Sequence, residues 1–263
     1  SVTLAEGSTD GYEIEPNTAW PIFDTSGAEP ANVLSFGSSI HGSLYNDSDR
    51  DWYALDVNTP GIVNINFESD LLNGQGYTMG DRSFEVQLWS LSSMDTGPIA
   101  KDVASGVSGV SFESAIADSD DDYYVSVSVA DGQYYDDDPY RLTATFSEGI
   151  DGYETEINNS FEEADEMTLG EPVTGMIQDV NDTDFYVFDA ASPGVLTIDL
   201  LSSGQDSPWY DYFEIIVYDA DKNILASRRA DGLPDSAYDN GGLIFQAAAA
   251  TEGLYYVSVS GDS

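Results

Sequence analysis

The sequence predicts an all-β protein built from two tandem antiparallel β-sandwich domains of jelly-roll type. Two observations carry this prediction. Four blocks of sequence recur in the same order along the chain, and the segments within them alternate apolar and polar residues with a period of two. No long segment shows helical periodicity. Short alternating strands joined by turns are typical of sandwiches and jelly rolls.

The repeated blocks define the domains. DGYEIEPNT begins at Asp10 and DGYETEINN begins at Asp151, 141 residues later. HGSLYNDSDRDWYALDVNTPG begins at residue 41, and its counterpart TGMIQDVNDTDFYVFDAASPG begins 133 residues later. FEVQLW is matched by FEIIVY, and YYVSVS occurs twice. We therefore predict an N-terminal strand in residues 1–9, a first domain in residues 10–149 and a second in residues 150–263.

The strands are predicted from composition as well as alternation. WYALDV, GIVNINFES, SFEVQLWSL, DYYVSVSVA and YRLTATFS are rich in Val, Ile, Tyr, Phe and Thr, and Gly, Asn, Asp and Pro separate them. The stretch SFEEADEMTLG, residues 160–170, fits either one helical turn or a loop.

The charge balance excludes several partners. The chain has 49 acidic against 7 basic residues, a formal net charge of −42, which repels nucleic acid and anionic membrane surfaces. No apolar run approaches the roughly 20 residues that span a bilayer, so no membrane insertion is predicted. Self-repulsion on this scale requires salt or bound cations, and both a solvated acidic surface in a saline medium and bound calcium would meet that requirement.

The ordered motifs resemble the bacterial pre-peptidase C-terminal domain, which follows the catalytic part of many secreted peptidases and collagenases. The second repeat carries ETEINNSFEEA, GMIQDVNDTDFYVF, PGVLTIDL and EGLYYVSV, and the first carries EIEPNTAW, GSLYNDSDRDWYAL, PGIVNINF, DDYYVSV and YRLTATF. The first repeat departs from the pattern at Thr18-Ala19 and at Asp121, where a glycine is expected. The resemblance covers nearly all of both repeats. It implies secreted β-sandwiches that bind calcium where the opening segment of each repeat meets the Asp-x-Asp loop.

The residues at these two places suit calcium, which takes carboxylate and amide oxygens. Alternate residues of an extended segment point to one side. The predicted ligands of the first repeat are Glu13, Glu15, Asn17, Asp49 and Asp51, and those of the second are Glu154, Glu156, Asn158, Asp182 and Asp184. Asp179 is a possible sixth ligand, and Asn46 aligns with it. The alternative is that these acids are solvated turn residues.

No catalytic constellation is visible, and the protein is predicted not to be an enzyme. The single histidine, His41, is expected to be exposed and has no matching partner set. Paired carboxylates are uninformative among 49 acids. Tyr134 and Tyr135 lie in a predicted loop, where they either contact a protein or polysaccharide ligand or cover one end of the sandwich.

One strand is out of place in the repeat. The first repeat ends with YRLTATFSEG, whereas the second stops at YYVSVSGDS, and the chain begins with SVTLAEG. Aligning the two Glu-Gly pairs places Leu4 on Phe146 and Val2 on Ala144. Three interpretations follow: a piece of a longer tandem array, closure of the second domain by its own N-terminal strand, or donation of that strand to a neighbouring molecule. Only Ser8 and Thr9 separate the strand from the first domain, which argues against self-closure.

Together these features predict a non-catalytic, calcium-stabilised module at the bacterial cell surface or outside the cell. The first hypothesis is a subunit of a surface fibre or adhesin-like array, joined head-to-tail by donation of a strand containing Val2 and Leu4. The alternative is an accessory, substrate-binding region of a secreted peptidase or other hydrolase.

Overall fold

The computed structural model of the chain consists of strands, turns and irregular segments. It describes residues 11–14, 32–46, 48–69, 83–105, 109–117, 120–130, 138–177, 182–201, 212–231 and 242–262. Within these ranges there is no helix, so the all-β prediction is confirmed, and none of these segments is a helix able to cross a bilayer. The chain divides into two compact units, Ser1–Ile150 and Asp151–Ser263.

Unit 1 is a sandwich of two sheets. Its strands are β1 (Asn32–Val33), β2 (Ser39–Leu44), β3 (Arg50–Leu55), β4 (Gly61–Ser69), β5 (Ser83–Ser90), β6 (Ala100–Ser105), β7 (Val110–Ile116), β8 (Tyr123–Val129) and β9 (Asp138–Glu148). One sheet has the order β1-β3-β8-β5-β6 and the other β2-β9-β4-β7. The sheets meet through aromatic rings such as Phe67 and Phe84, whose centroids lie 5.0 Å apart.

The alternation of β4 decides which side chains enter the core of unit 1. Val63, Ile65 and Phe67 are fully buried, while Asn66 and Glu68 between and after them are exposed. The neighbouring strand β9 adds a second fully buried row, Tyr140, Leu142 and Ala144. Burying each large apolar side chain stabilises the fold by roughly 1.5–3 kcal/mol, which explains why the period-two pattern located these strands from sequence.

Unit 2 repeats the larger sheet of unit 1. Its strands are β10 (Asp165–Glu166), β11 (Thr183–Ala190), β12 (Gly194–Leu201), β13 (Tyr212–Tyr218), β14 (Ile224–Asp231), β15 (Gly242–Ala249) and β16 (Gly253–Asp262). Five of them follow the order β10-β11-β16-β13-β14, and β12 pairs with β15 in a second sheet. The core lies between these sheets and includes Phe188, Val217 and Phe245.

Two short strand pairs are parallel, whereas the other strand pairs of both units are antiparallel. Asn32 of β1 pairs with Tyr53 of β3, and Asp165 of β10 pairs with Tyr186 of β11. A parallel pair needs a crossover rather than a hairpin, and the chain between the paired strands supplies it. Two-residue strands are too short to show alternation, so they could not be predicted from the sequence. The stretch 160–170, for which the sequence fits one helical turn or a loop, forms no helix and contains β10.

Several predicted features lie outside the described residues. They are the N-terminal strand of residues 1–9 with Val2 and Leu4, the ligands Glu15 and Asn17, the residue Asp179, and the loop tyrosines Tyr134 and Tyr135. His41 lies in β2 and is half-buried rather than exposed, because the Tyr12 ring stacks on it at a centroid distance of 5.3 Å.

Candidate metal centre

Three carboxylates converge at one end of β11 in unit 2. Glu154, Glu156 and Asp184 each place an oxygen within 4.8 Å of the others. Glu154 is 6% exposed and Asp184 is 2% exposed, so water screens their charges poorly. Like charges this close disfavour one another's ionised forms. The cluster is therefore stable only if it binds protons or a cation.

Glu154 fixes the opening segment of unit 2, residues 151–159, to the chain that precedes β11. Its backbone N–H donates to the carbonyl of Thr174 at 3.0 Å, beside the parallel bridge between Tyr153 and Thr174. Its carboxylate accepts from the Met176 N–H through Oε1 and from the Tyr186 hydroxyl through Oε2. Asp184 lies two residues before Tyr186 on β11 and so shares its face of the sheet.

Asn158 contributes a neutral oxygen to this place. The residue is fully buried, and its carbonyl accepts from the Phe185 N–H at 3.0 Å. Its side-chain Nδ2 donates to Asp165 at 3.1 Å, which fixes the orientation of the amide. Among the described residues, Asn158 Oδ1 and Asp184 Oδ1 are buried without a hydrogen-bond partner. A buried unpaired oxygen costs about 1–3 kcal/mol, and a bound cation removes that cost.

The protonation of the cluster follows from its burial. Burial raises the pKa of Asp184 well above its usual range, and the charges of Glu154, Asp182 and Glu156 raise it further. Burial also raises the pKa of Glu154, although the hydrogen bonds from Tyr186 and Met176 oppose the shift. Protons therefore bind the metal-free cluster more tightly than they bind exposed carboxylates, and a cation would compete with them.

Unit 2 therefore brings together most of its predicted ligand set. Glu154, Glu156 and Asp184 meet, and the Asn158 N–H donates to Glu156 at 3.3 Å. Asp182 is also buried, and its charge acts on Asp184.

In its described part, unit 1 repeats the hydrogen bonds that Glu154 makes in unit 2. Glu13 accepts from the Ser43 N–H at 2.5 Å and from the Tyr53 hydroxyl at 2.6 Å, as Glu154 does from Met176 and Tyr186. Asp51 is fully buried. Asp49 is 3% exposed and accepts from the Tyr45 N–H at 2.6 Å, and its Oδ1 is buried with no hydrogen-bond partner in the described ranges.

A tyrosine pair distinguishes unit 1. The Tyr140 hydroxyl of β9 donates to Asp51, and the hydroxyl oxygens of Tyr140 and Tyr53 lie 2.5 Å apart. Burial and the nearby carboxylates raise the pKa of both tyrosines well above the usual range, so both remain hydroxyl donors. These hydroxyls donate hydrogen bonds to carboxylates of the acidic cluster but do not neutralise its charge.

Sequence reasoning missed a pair of supporting residues at equivalent positions. Asp165 accepts from the Thr155 N–H at 2.8 Å and from the Thr155 hydroxyl at 2.6 Å, besides holding Asn158. In unit 1, Asn32 bonds to the backbone of Ile14 in both directions, at 2.9 Å and 3.3 Å. Asn32 and Asp165 are separated by 133 residues, the same offset as the Asp-x-Asp blocks. This shared offset could have identified them from the sequence as equivalent residues of the two repeats.

Two glycines also belong to the site. A Cβ added at Gly175 would lie 2.6 Å from the Tyr186 hydroxyl and would overlap Oε2 of Glu154. The equivalent Gly42 faces the hydroxyls of Tyr53 and Tyr140. Each site therefore requires a residue without a side chain at this position.

Comparison with known proteins gave matches among solved structures alone, since no protein-family model and no curated protein matches the chain. The pre-peptidase C-terminal domain of a collagenase from Bacillus anthracis matches with a TM-score of 0.33 and 23% identity, over 44% of this chain and 96% of that one. The tandem CBM51 modules of a family 98 glycoside hydrolase from Streptococcus pneumoniae match with a TM-score of 0.31 and 10% identity, over 86% of this chain and 79% of that one. The PBSX exported protein XepA matches with a TM-score of 0.29 and 9% identity, over 85% of this chain and 86% of that one.

Proposed function

We propose that this chain is a non-catalytic, extracellular structural protein in which each unit holds one calcium ion. The supporting observation is the buried acidic cluster of unit 2, where Asn158 and Asp184 each present an oxygen that lacks a hydrogen-bond partner in the described residues. The ligands of unit 2 are Glu154, Glu156, Asn158, Asp182 and Asp184. Those of unit 1 are Glu13, Glu15, Asn17, Asp49 and Asp51.

Calcium suits this set better than other common ions do. All the proposed ligands are oxygens, and the chain has no cysteine and one histidine, so the set lacks the nitrogen and sulfur ligands that select zinc. A mixture of carboxylates and an amide carbonyl in an irregular arrangement matches the flexible coordination of calcium rather than the strict octahedron of magnesium. Extracellular calcium modules have dissociation constants of about 10⁻⁴–10⁻³ M, which we expect here.

The ion's role is structural. It joins the opening segment, through Glu154, Glu156 and Asn158, to Asp184 at the start of β11, and it offsets repulsion among their charges. Because calcium binds the folded chain and not the unfolded one, it stabilises unit 2 by about 2.7 kcal/mol at a hundred-fold excess over the dissociation constant.

The units work as a subunit of a surface fibre or adhesin-like array. Residues 1–7 have the alternation of a strand, with Val2 and Leu4 on one side, and resemble residues 143–149, which form the end of β9 and the glycine that follows it. Donation of such a strand to the next molecule is a heterologous contact, which generates an open filament rather than a closed dimer. The competing function, an accessory region of a secreted hydrolase, requires no such self-association.

The calcium proposal is tested by thermal unfolding of the full chain after chelation, with calcium or magnesium added back at equal concentration in high salt. High salt screens the net charge of −42, so general charge screening does not imitate site binding. We expect calcium to raise the melting temperature of wild type, and to raise that of Asp184→Asn by less, because this variant keeps the site of unit 1.

The matched control for this variant is Asp189→Asn, which removes one charge from an exposed position of the same strand. We expect it to respond to calcium as wild type does. Equal responses of all three proteins, or equal effects of the two metals, would overturn the calcium proposal.

The fibre proposal is tested separately by light scattering and negative-stain microscopy of the full chain. Wild type should form filaments, Leu4→Asp should not, and Thr3→Asp, on the opposite side of the strand, should retain them. A monodisperse wild-type chain would favour the accessory-module alternative.

A further inference from the structure

The second sheet differs between the two units in the number of strands. In unit 1, β4 lies between β9 and β7 and bonds to both. In unit 2 its counterpart β12 bonds to β15, the counterpart of β7, and within the described ranges no strand pairs with its other edge. That edge occupies the position at which β9 completes unit 1.

The core next to this edge is less well covered than in unit 1. Ile65 and Phe67 of β4 are fully buried, whereas the matching Ile198 and Leu200 of β12 are only half-buried. In unit 1 the covering side chains come from the inward row of β9, which includes Leu142 and Ala144. The edge of β12 thus presents both unpaired backbone groups and incompletely covered apolar side chains, the combination that an added strand satisfies.

A glycine marks where such a strand would lie. A Cβ added at Gly61 of β4 would overlap the ring of Phe146 and the carbonyl oxygen of Ser147, both on β9. At the matching Gly194 of β12, the described part of the chain places no heavy atom within 4 Å apart from its chain neighbours. None of the described residues fills, beside Gly194, the space that β9 fills beside Gly61.

We infer that the edge of β12 accepts residues 1–7 of a second copy of this chain, in the register in which β9 pairs with β4. This inference rests on the proposed fibre and identifies its acceptor site. In unit 1, Gly61 pairs with Glu148, Val63 with Phe146 and Ile65 with Ala144. Transferred to unit 2, this register pairs Gly194 with Glu6, Leu196 with Leu4, and Ile198 with Val2.

The pattern of residues 1–7 fits this acceptor. SVTLAEG matches TATFSEG of residues 143–149, with an apolar residue at each position that faces inward in β9 and a small or polar residue at each position between them. Val2 and Leu4 therefore cover Ile198 and Leu196.

The test uses two full-length variants that each retain one half of the contact. Gly194→Val blocks the acceptor, because any Cβ there would meet the backbone of the inserted strand, and it leaves the donor intact. Gly194 has an ordinary backbone conformation and open space, so valine is tolerated in the free chain. Leu4→Asp removes the donor and leaves the acceptor intact. The control is Thr197→Val, a β-branched substitution at an exposed position of the same strand.

We expect wild type and Thr197→Val to form filaments, and each half-blocked variant to remain a monomer by light scattering. A one-to-one mixture of Gly194→Val and Leu4→Asp should give a dimer, because one functional donor and one functional acceptor remain. Unchanged calcium-dependent melting of both variants establishes that they are folded.

Three results would overturn the inference. If Gly194→Val still forms filaments, the contact between molecules lies elsewhere and the fibre proposal is unaffected. If the mixture does not form a dimer, Gly194 and Leu4 do not belong to the same contact between two molecules. A wild-type chain that stays monomeric at all concentrations would overturn both the acceptor site and the fibre. In that case the edge of β12 would be covered by the chain's own strand or by a strand from outside residues 1–263.

Discussion

Tyr140 donates its hydroxyl hydrogen to the carboxylate of Asp51, and this bond joins the last strand of unit 1 to its candidate metal site. Asp51 lies near the start of β3 and Tyr140 lies in β9, on the opposite sheet, so the bond connects the two layers of the sandwich. Both residues are fully buried. Packing of β9 onto the opposite sheet and ordering of the acidic site are therefore coupled in unit 1.

Tyr140→Phe should weaken this connection. The substitution keeps the ring in the core and removes one donor to a buried carboxylate, which we expect to destabilise unit 1 by about 1–3 kcal/mol. Hydrogen exchange followed by mass spectrometry on peptides of β3 and β9 reports the loss in unit 1 separately from unit 2. Tyr124→Phe, at a half-exposed tyrosine of β8, is the control and should leave exchange unchanged. Equal exchange in the two variants would mean that the Tyr140 bond adds no stability.

Asp165→Ala should lower the calcium affinity of unit 2 by about ten- to a hundred-fold, because Asp165 orients the amide of Asn158. Asp165→Asn should come much closer to wild type, since an asparagine keeps an oxygen for the Thr155 N–H and the Asn158 amide. Asn32 fills the equivalent position in unit 1 and accepts from the Ile14 N–H. Calcium titration by calorimetry compares the two variants. The same loss in both would indicate that the negative charge of Asp165, rather than its geometry, supports binding.

The sequence predicted the strands because burial imposes its period directly on neighbouring residues. Val63, Ile65 and Phe67 are buried in the order their alternation predicts. The two-residue strands β1 and β10 were missed, since their position depends on parallel pairing with β3 and β11 and not on a local pattern.

The site was predictable in part for the same reason. Alternation placed Glu154 and Glu156 on one side of the opening segment, and the resemblance to the pre-peptidase C-terminal domain joined that segment to Asp184. The structure places the three carboxylates together. Asp165 was missed because its partners lie seven and ten residues away in an irregular segment, so no periodicity points to it. Tyr140 was missed because β9 has no matched block in the second repeat, which left no comparison to draw attention to its hydroxyl.

The calcium-free chain should lose stability as pH rises above the usual pKa of an aspartate. Burial and like charges raise the folded-state pKa of Asp184 well above its usual range, so the folded chain holds a proton that the unfolded chain releases near pH 4. The stabilisation from this proton is complete below the unfolded pKa and disappears as pH rises through the folded pKa. Calcium competes with the proton, so its stabilising effect should grow over the same rise in pH.

Melting temperatures of wild type and Asp184→Asn, measured with chelator between pH 4 and pH 8 in high salt, check this prediction. The fall with rising pH should be smaller in Asp184→Asn, because the amide does not titrate. Asp189→Asn should follow wild type, since that residue is exposed. Parallel curves for all three proteins would show that Asp184 is not the titrating group.

Gly175→Ala should disturb the site through Glu154. The added methyl group overlaps Oε2 of Glu154, and displacing that carboxylate weakens its bonds with Tyr186 and Met176. Overpacking of this kind costs about 1–3 kcal/mol, and a displaced ligand also lowers calcium affinity. Ser192→Ala is the control, because Ser192 is exposed and lies outside both the metal site and the strands, so we expect its stability to stay close to that of wild type. If both variants melt alike and bind calcium alike, Glu154 does not occupy the position from which it would bind the ion.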